Sequence, residues 1–217
     1  MPPRTYITLV ALLALPVLGA CSQTDPSGSP SDPPAVASPA ASELTATGEP
    51  LAAGRYTRAG FVPPITFELD GSWQAVQLFG AFFDVQREPG TADVIAVQFA
   101  RPSALFGEGG SEPPVSADAA ITAVHGNPAL KVIEASDSRI GGQEGLQVTV
   151  EGAGGGRAGV MTVPPGPLGI DPGRRLWIAF FDTPDGLLAI MVDGSIARWD
   201  EALAAAEPVL ESVQIGP

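Results

Sequence analysis

Beyond residue 50 the chain alternates apolar and polar positions in short runs punctuated by glycine and proline. Phe61 to Leu69 reads FVPPITFEL, and Ile65, Phe67 and Leu69 fall on one side of a half-buried strand. Asp70-Gly71 supplies a turn ahead of Trp73. Gln77 to Arg87 (QLFGAFFDVQR) and Ala92 to Ala100 (ADVIAVQFA) predict two further strands, with a hairpin at Glu88-Pro89-Gly90. Pro102 to Pro114, rich in Gly, Glu and Pro, predicts a loop. Ser116 or Asp118 then caps a short helix through Ala119, Ile121, Ala123 and Val124, stopped by Gly126-Asn127-Pro128. Strand patterns resume at Leu130 (LKVIEAS), at Arg139 (RIGGQEGLQVTVE, turning at Gly141-Gly142) and at Ala158 (AGVMTVP). Arg175 to Asp182 and Leu187 to Val192 flank Thr183-Pro184-Asp185-Gly186, a clear hairpin signal. From Ser195 to Leu210, Ile196, Trp199, Leu203 and Ala206 recur at helical spacing. The class this predicts is α+β, an antiparallel sheet flanked by helices.

The first twenty residues follow a different pattern. Arg4 precedes an apolar run from Tyr6 to Val17, and small residues follow, the layout of a secretory signal. The run is shorter than the roughly 20 residues of a comfortable membrane span. Leu18, Gly19, Ala20 and Cys21 resemble the lipobox of bacterial lipoproteins. That resemblance implies a thiol acylated on Cys21 and cleavage before it, so that residues 1–20 are the signal peptide. Two acyl chains hold a protein stably where one is marginal. The implied location is the extracytoplasmic face of a cell membrane.

Residues 21–50 carry the lipidated Cys and then a Ser-, Pro- and Ala-rich stretch without an aromatic residue. Such a composition cannot bury enough apolar surface to offset chain entropy, so a disordered tether is expected, reaching on the order of 30 Å. Residues 51–217 form one ordinary domain. The chain holds 11 basic and 24 acidic residues, for a formal net charge of −13. Nucleic acid is thereby disfavoured as a partner, because clustered Lys and Arg supply affinity for phosphates. One Cys and one His exclude an internal disulfide and a structural zinc site of four such ligands.

Several stretches of the domain resemble a group of secreted bacterial lipoproteins. They are Gly54-Arg55-Tyr56-Thr57, Phe61 with Pro64, Gly71 followed by Trp73, His125 to Leu130, Ile140 to Gly145, and the closing helix with its Leu-x-Ser-Val end. The group is similar in layout to the PsbP-type α/β sandwich. That resemblance spans about 160 residues and implies a fold hosting mostly non-enzymatic envelope and thylakoid proteins. Ser72 interrupts the Gly-Trp dipeptide of the group's pattern.

Candidate chemistry is sparse. His125 lacks a G-x-S-x-G elbow to serve, and at a helix end it suits the terminal carbonyls. The run Glu151 to Gly159 lacks the Lys-Ser/Thr of a phosphate loop and predicts a hairpin loop. Asp182, Asp185, Asp193, Asp200 and Glu201 lack calcium-loop spacing and read as turn and helix-start carboxylates, so no metal site is assigned. Trp177 and Trp199 lie on apolar faces, which leaves Trp73, beside a turn, as the aromatic placed to stack on a ligand. No catalytic residue and no cofactor motif emerges.

The reading is a lipid-anchored, non-enzymatic domain with a binding or envelope-assembly role, its partners the membrane through Cys21 and an envelope protein or small ligand. An envelope hydrolase using His125 or a carboxylate pair, and a small-ligand carrier with a cavity lined by sheet aromatics, are the alternatives.

Overall fold

A computed structural model describes residues 40–164 and 166–216. The lipobox residues Leu18, Gly19, Ala20 and Cys21, and the tether as far as Pro39, lie outside them. Chain order gives β1 (Ser42–Glu43), β2 (Ala53–Arg58), β3 (Ile65–Asp70), β4 (Gln74–Leu78), β5 (Phe82–Arg87), β6 (Ile95–Ala100), β7 (Ala104–Gly107) and β8 (Gly110–Glu112). After α1 (Ala117–Gly126) come β9 (Leu130–Ile140), β10 (Gln143–Gly152), β11 (Ala158–Val163), β12 (Gly166–Ile170), β13 (Arg174–Thr183) and β14 (Gly186–Ser195). A 3-10 turn, Ile196–Arg198, leads into α2 (Trp199–Ser212) and β15 (Gln214–Ile215).

The central layer is a seven-stranded antiparallel sheet in the order β4-β5-β6-β14-β13-β10-β9. One face packs against the sheet β1-β2-β3-β15 and α2, with Phe61, Phe67, Phe83 and Phe99 wholly buried between them. Their rings touch, Phe83 and Phe99 stacking at 4.5 Å and Phe61 meeting Phe83 edge-on at 5.1 Å. Each such ring stabilises the fold by about 1.5–3 kcal/mol through burial. The other face packs against the sheet β12-β11-β7-β8 and α1, around Phe82, Leu105, Val124, Met161 and Phe180. An α+β sandwich with an antiparallel central sheet flanked by helices is thus what the chain builds.

Local chemistry explains the elements, the choice between two caps and three departures from expectation. Ser116, not Asp118, caps α1, its Oγ accepting from the Ala119 N–H at 3.1 Å. The strand expected over Gln77 to Arg87 is two, because the chain turns at Gly80 and the Phe79 N–H donates to the Phe82 carbonyl at 2.7 Å. Pro102 to Pro114 is no bare loop: β7 and β8 pair within it, and β7 adds to β11, Leu105 facing Met161 and Ala104 facing Thr162, a distant partner that local composition does not announce. The glycine-rich run after Glu151 does not close a hairpin either. It carries the chain from β10 in the central sheet to β11 in an outer one.

Ordered packing also starts upstream of Leu51. Leu44 is 1% exposed in the Phe61–Phe83 core, and its N–H donates to the Thr57 carbonyl. The Gly48 and Leu51 N–H groups reach the carbonyls of Ala75 and Trp73, each at 2.8 Å, so residues 42–51 strap the edges of two sheets. No helix among the described residues is long and apolar enough to cross a membrane.

Candidate functional site

Paired residues of adjacent antiparallel strands share a face, so the register of the central sheet can be read in rows. On the side facing α1 one row runs Phe82, Ala100, Ala189, Phe180, Leu146. The next runs Asp84, Gln98, Met191, Ile178, Val148, and the third Gln86, Ala96, Asp193, Leu176, Val150. Hydrocarbon fills most of this face, yet Asp84, Gln86, Gln98 and Asp193 occupy one corner of it. Burying polar groups costs free energy unless each is satisfied, which marks the corner as functional or specially structured.

That corner is open. A trough of about 490 Å³ lies over Gln86, Ala96, Gln98 and Asp193, walled by Thr91 to Val94 on one side and Asp171 to Arg174 on the other. The Arg174 Nε donates to Asp193 Oδ1 at 2.8 Å, and its Nη2 donates to the Val94 carbonyl at 2.8 Å. Arg174 is therefore committed to the wall. Among the described residues no group donates to Asp193 Oδ2, and the Gln98 side chain makes no hydrogen bond. Burial raises the Asp193 carboxyl above the usual carboxylate range, with the guanidinium of Arg174 pulling it partly back.

Asp84 has a different task. It is wholly buried, and accepts from the Gln77 N–H at 2.7 Å and from Gln86 Nε2 at 2.5 Å. The β4–β5 register slips between Ala75 and Gln77, leaving Val76 as the extra residue of a bulge, and the Asp84 carboxylate gathers the amides of Val76 and Gln77. Burial raises its carboxyl as well, with those hydrogen bonds opposing. Among the described carboxylates only Asp84 and Asp193 are shifted upward, and both lie on this face. Asp84 is wholly buried on Gln77 and Gln86, whereas Asp193 lines the trough and pairs with Arg174, and no hydrogen bond joins the two carboxyls among the described residues.

The residues singled out in the sequence are scattered. His125 is exposed in the last turn of α1 and hydrogen-bonds to no serine or carboxylate among the described residues. Trp73 is 1% exposed, with the Arg87 guanidinium 4.7 Å above its ring, so a ligand would stack there only after displacing Arg87. Trp177 is half-buried and Trp199 is buried against α2's side of the sheet. The acidic group divides: Asp182 accepts from the Ala117 N–H, Asp193 pairs with Arg174, and Glu201 pairs with Arg198. Among the described residues no three His, Cys, Asp or Glu side chains are grouped to hold a metal. The sheet phenylalanines fill a core and do not line a carrier cavity.

No family model matches the chain, and no curated protein matches it. Solved structures do. That of cyanobacterial PsbP (CyanoP) from Synechocystis sp. PCC 6803 is similar at a TM-score of 0.44 and 13% identity, over 79% of this chain and 97% of that one. LpqN, involved in cell envelope biogenesis of Mycobacterium tuberculosis, is similar at 0.43 and 10%, over 76% and 86%. A protein of Bacteroides thetaiotaomicron VPI-5482 is similar at 0.35 and 7%, over 70% of this chain and 45% of that one. The α+β class itself rests on the sheets and helices above.

Proposed function

We propose that the chain is an extracytoplasmic lipoprotein that acts by binding and performs no chemistry of its own, with the trough over β5, β6 and β14 as its ligand site. The observation that carries the reading is the polar corner of an otherwise apolar sheet face, where Asp193 Oδ2 and the Gln98 amide have no partner among the described residues. Strand-borne groups are held rigidly, so they can select a ligand by geometry. Because Arg174 is spent on Asp193 and on backbone carbonyls, the floor offers mainly acceptors. The ligand it suits is small, polar and rich in hydrogen-bond donors. The lipobox at Leu18 to Cys21 supports the setting, and Cys21 is the residue proposed to carry the lipid.

Nuclear magnetic resonance tests the site. The mature chain, kept soluble by Cys21→Ser, is titrated with small polyols and amino alcohols while its amide spectrum is recorded. Shifts centred on Ala96, Gln98 and Asp193, abolished by Gln98→Leu, are expected. Shifts that centre elsewhere, or that persist unchanged in Gln98→Leu, overturn the assignment.

A further inference from the structure

The wholly buried Asp84 carboxylate meets no cation among the described residues and is satisfied by N–H groups alone. The amides of Val76 and Gln77 on the bulge and the Gln86 side chain supply them, Gln86 Nε2 reaching Oδ2. Gln86 carries that bond to the trough, which it lines beside Ala96. An ionised carboxylate accepts and cannot donate, so the Gln86 amide has to turn its nitrogen towards Asp84. Its Oε1 is then the end left for a ligand, and no group among the described residues donates to it.

Gln86, Ala96 and Asp193 form one row across β5, β6 and β14, and Ala96 has no side chain beyond Cβ to fill the space between its neighbours. Strand spacing puts the Cα atoms of Gln86 and Asp193 roughly 10 Å apart. At one end of the row Asp84 turns the Gln86 amide. At the other, Arg174 Nε occupies Asp193 Oδ1 and leaves Oδ2 free. Two oriented acceptors thus flank the depression, while Gln98, bonded to nothing among the described residues, can present either end of its amide.

We infer that Asp84 is a positioning residue for the trough: by accepting from Gln86 Nε2 it fixes Gln86 Oε1 as an acceptor towards the ligand. The trough then selects molecules that bring N–H or O–H donors to that end and rejects those that bring only acceptors. This inference rests on the trough being the ligand site. An acceptor brought against Gln86 Oε1 leaves two desolvated oxygens facing each other, and the amide cannot turn to relieve them without pointing its oxygen at the buried carboxylate. Asp84 therefore acts on specificity without touching the ligand. Asparagine at this position reverses the effect. Two bulge amides outweigh one side-chain bond, so the Asn oxygen stays with Val76 and Gln77, its Nδ2 donates towards Gln86, and the Gln86 amide turns over to offer Nε2 to the trough.

Two probes on the same three-carbon skeleton are titrated at neutral pH into the full mature chain carrying Cys21→Ser, with the amide spectrum as readout. Serinol brings two hydroxyls and an ammonium, all donors, and dimethoxyacetone brings acceptors only. Serinol is expected to shift Ala96, Gln98 and Asp193, and dimethoxyacetone to bind more weakly. Asp84→Asn is expected to weaken serinol roughly tenfold, the scale of one hydrogen bond lost between like ends, and to strengthen dimethoxyacetone. Gln86→Met should by itself narrow the discrimination between the probes, and in that background Asp84→Asn should change neither affinity. A merely structural role for Asp84 would show in both backgrounds. Without any change at either position, one Gln86 side-chain amide proton should exchange with water far more slowly than those of Gln98. Serinol shifts at the trough whose selectivity Asp84→Asn leaves unaltered, an effect of Asp84→Asn that persists in Gln86→Met, or equal exchange at Gln86 and Gln98 overturns this inference and leaves the site standing. Absence of serinol shifts at the trough overturns the site, and this inference with it.

Discussion

Asp84 sits in a row of the central sheet otherwise continued by Met191, Ile178 and Val148, and it earns its place by gathering the amides of a bulge. Its folded carboxyl value is raised by burial above the unfolded one, so the native state holds the proton more tightly. The stability this contributes is complete below the unfolded carboxyl value of about 4 and is lost as pH rises through the folded value. Asp193 acts in the same sense. Asp70, held down first by its hydrogen bond from the Ser72 hydroxyl, and Glu151, held down first by Arg175, act in the opposite one: their contribution is present above the unfolded value and lost as pH falls. A comparison of wild type with Asp84→Asn cancels all but the first. Measured by urea unfolding from about pH 3 to 8, wild type should lose stability relative to Asp84→Asn as pH rises. A difference independent of pH would show that Asp84 titrates as it does in the unfolded chain.

Among the elements, those that declare themselves in the sequence are the ones whose reasons are local. The Thr183 to Gly186 hairpin carries its own turn residues, and α1 carries its own cap and stop. Elements defined by a distant partner stay hidden. The β7–β8 pair is only four and three residues long and rich in glycine, and it is fixed by β11 and α1. The trough was hidden for the same reason, since Gln86, Gln98 and Asp193 come from three strands that meet only in the sheet. One signal existed: in FFDVQR and IAVQFA, polar residues fall at the inward positions of strands that read as core. The strap is the third hidden element. Its Leu44 lies in a Ser- and Ala-rich stretch that composition assigns to a tether, yet it closes the core beside Phe61. Leu44→Ala is expected to cost about 2–4 kcal/mol in chemical denaturation, as for a buried leucine elsewhere. A change no larger than that from Ala41→Ser would return residues 42–50 to the tether.

For the whole molecule, the charge of the domain bears on the anchoring proposed at Cys21. Seven of the nine described arginines are in ion pairs, and the surplus of carboxylates gives the domain a net negative surface, which anionic headgroups repel. The acyl chains proposed at Cys21 are then what would hold the chain to a membrane. Cys21→Ala should therefore move the protein wholly from the membrane to the soluble fraction, at low and at high salt alike. Salt is the informative variable: attraction between a surface patch and headgroups weakens as ionic strength rises, whereas anchoring by buried methylenes does not. Retention of Cys21→Ala that salt reverses would identify a charged membrane-binding face, and retention that salt leaves intact would identify the uncleaved apolar run from Tyr6 to Val17 as the anchor. Either result removes the lipid from the account of how this domain is held, while leaving the trough to be judged by its own variants.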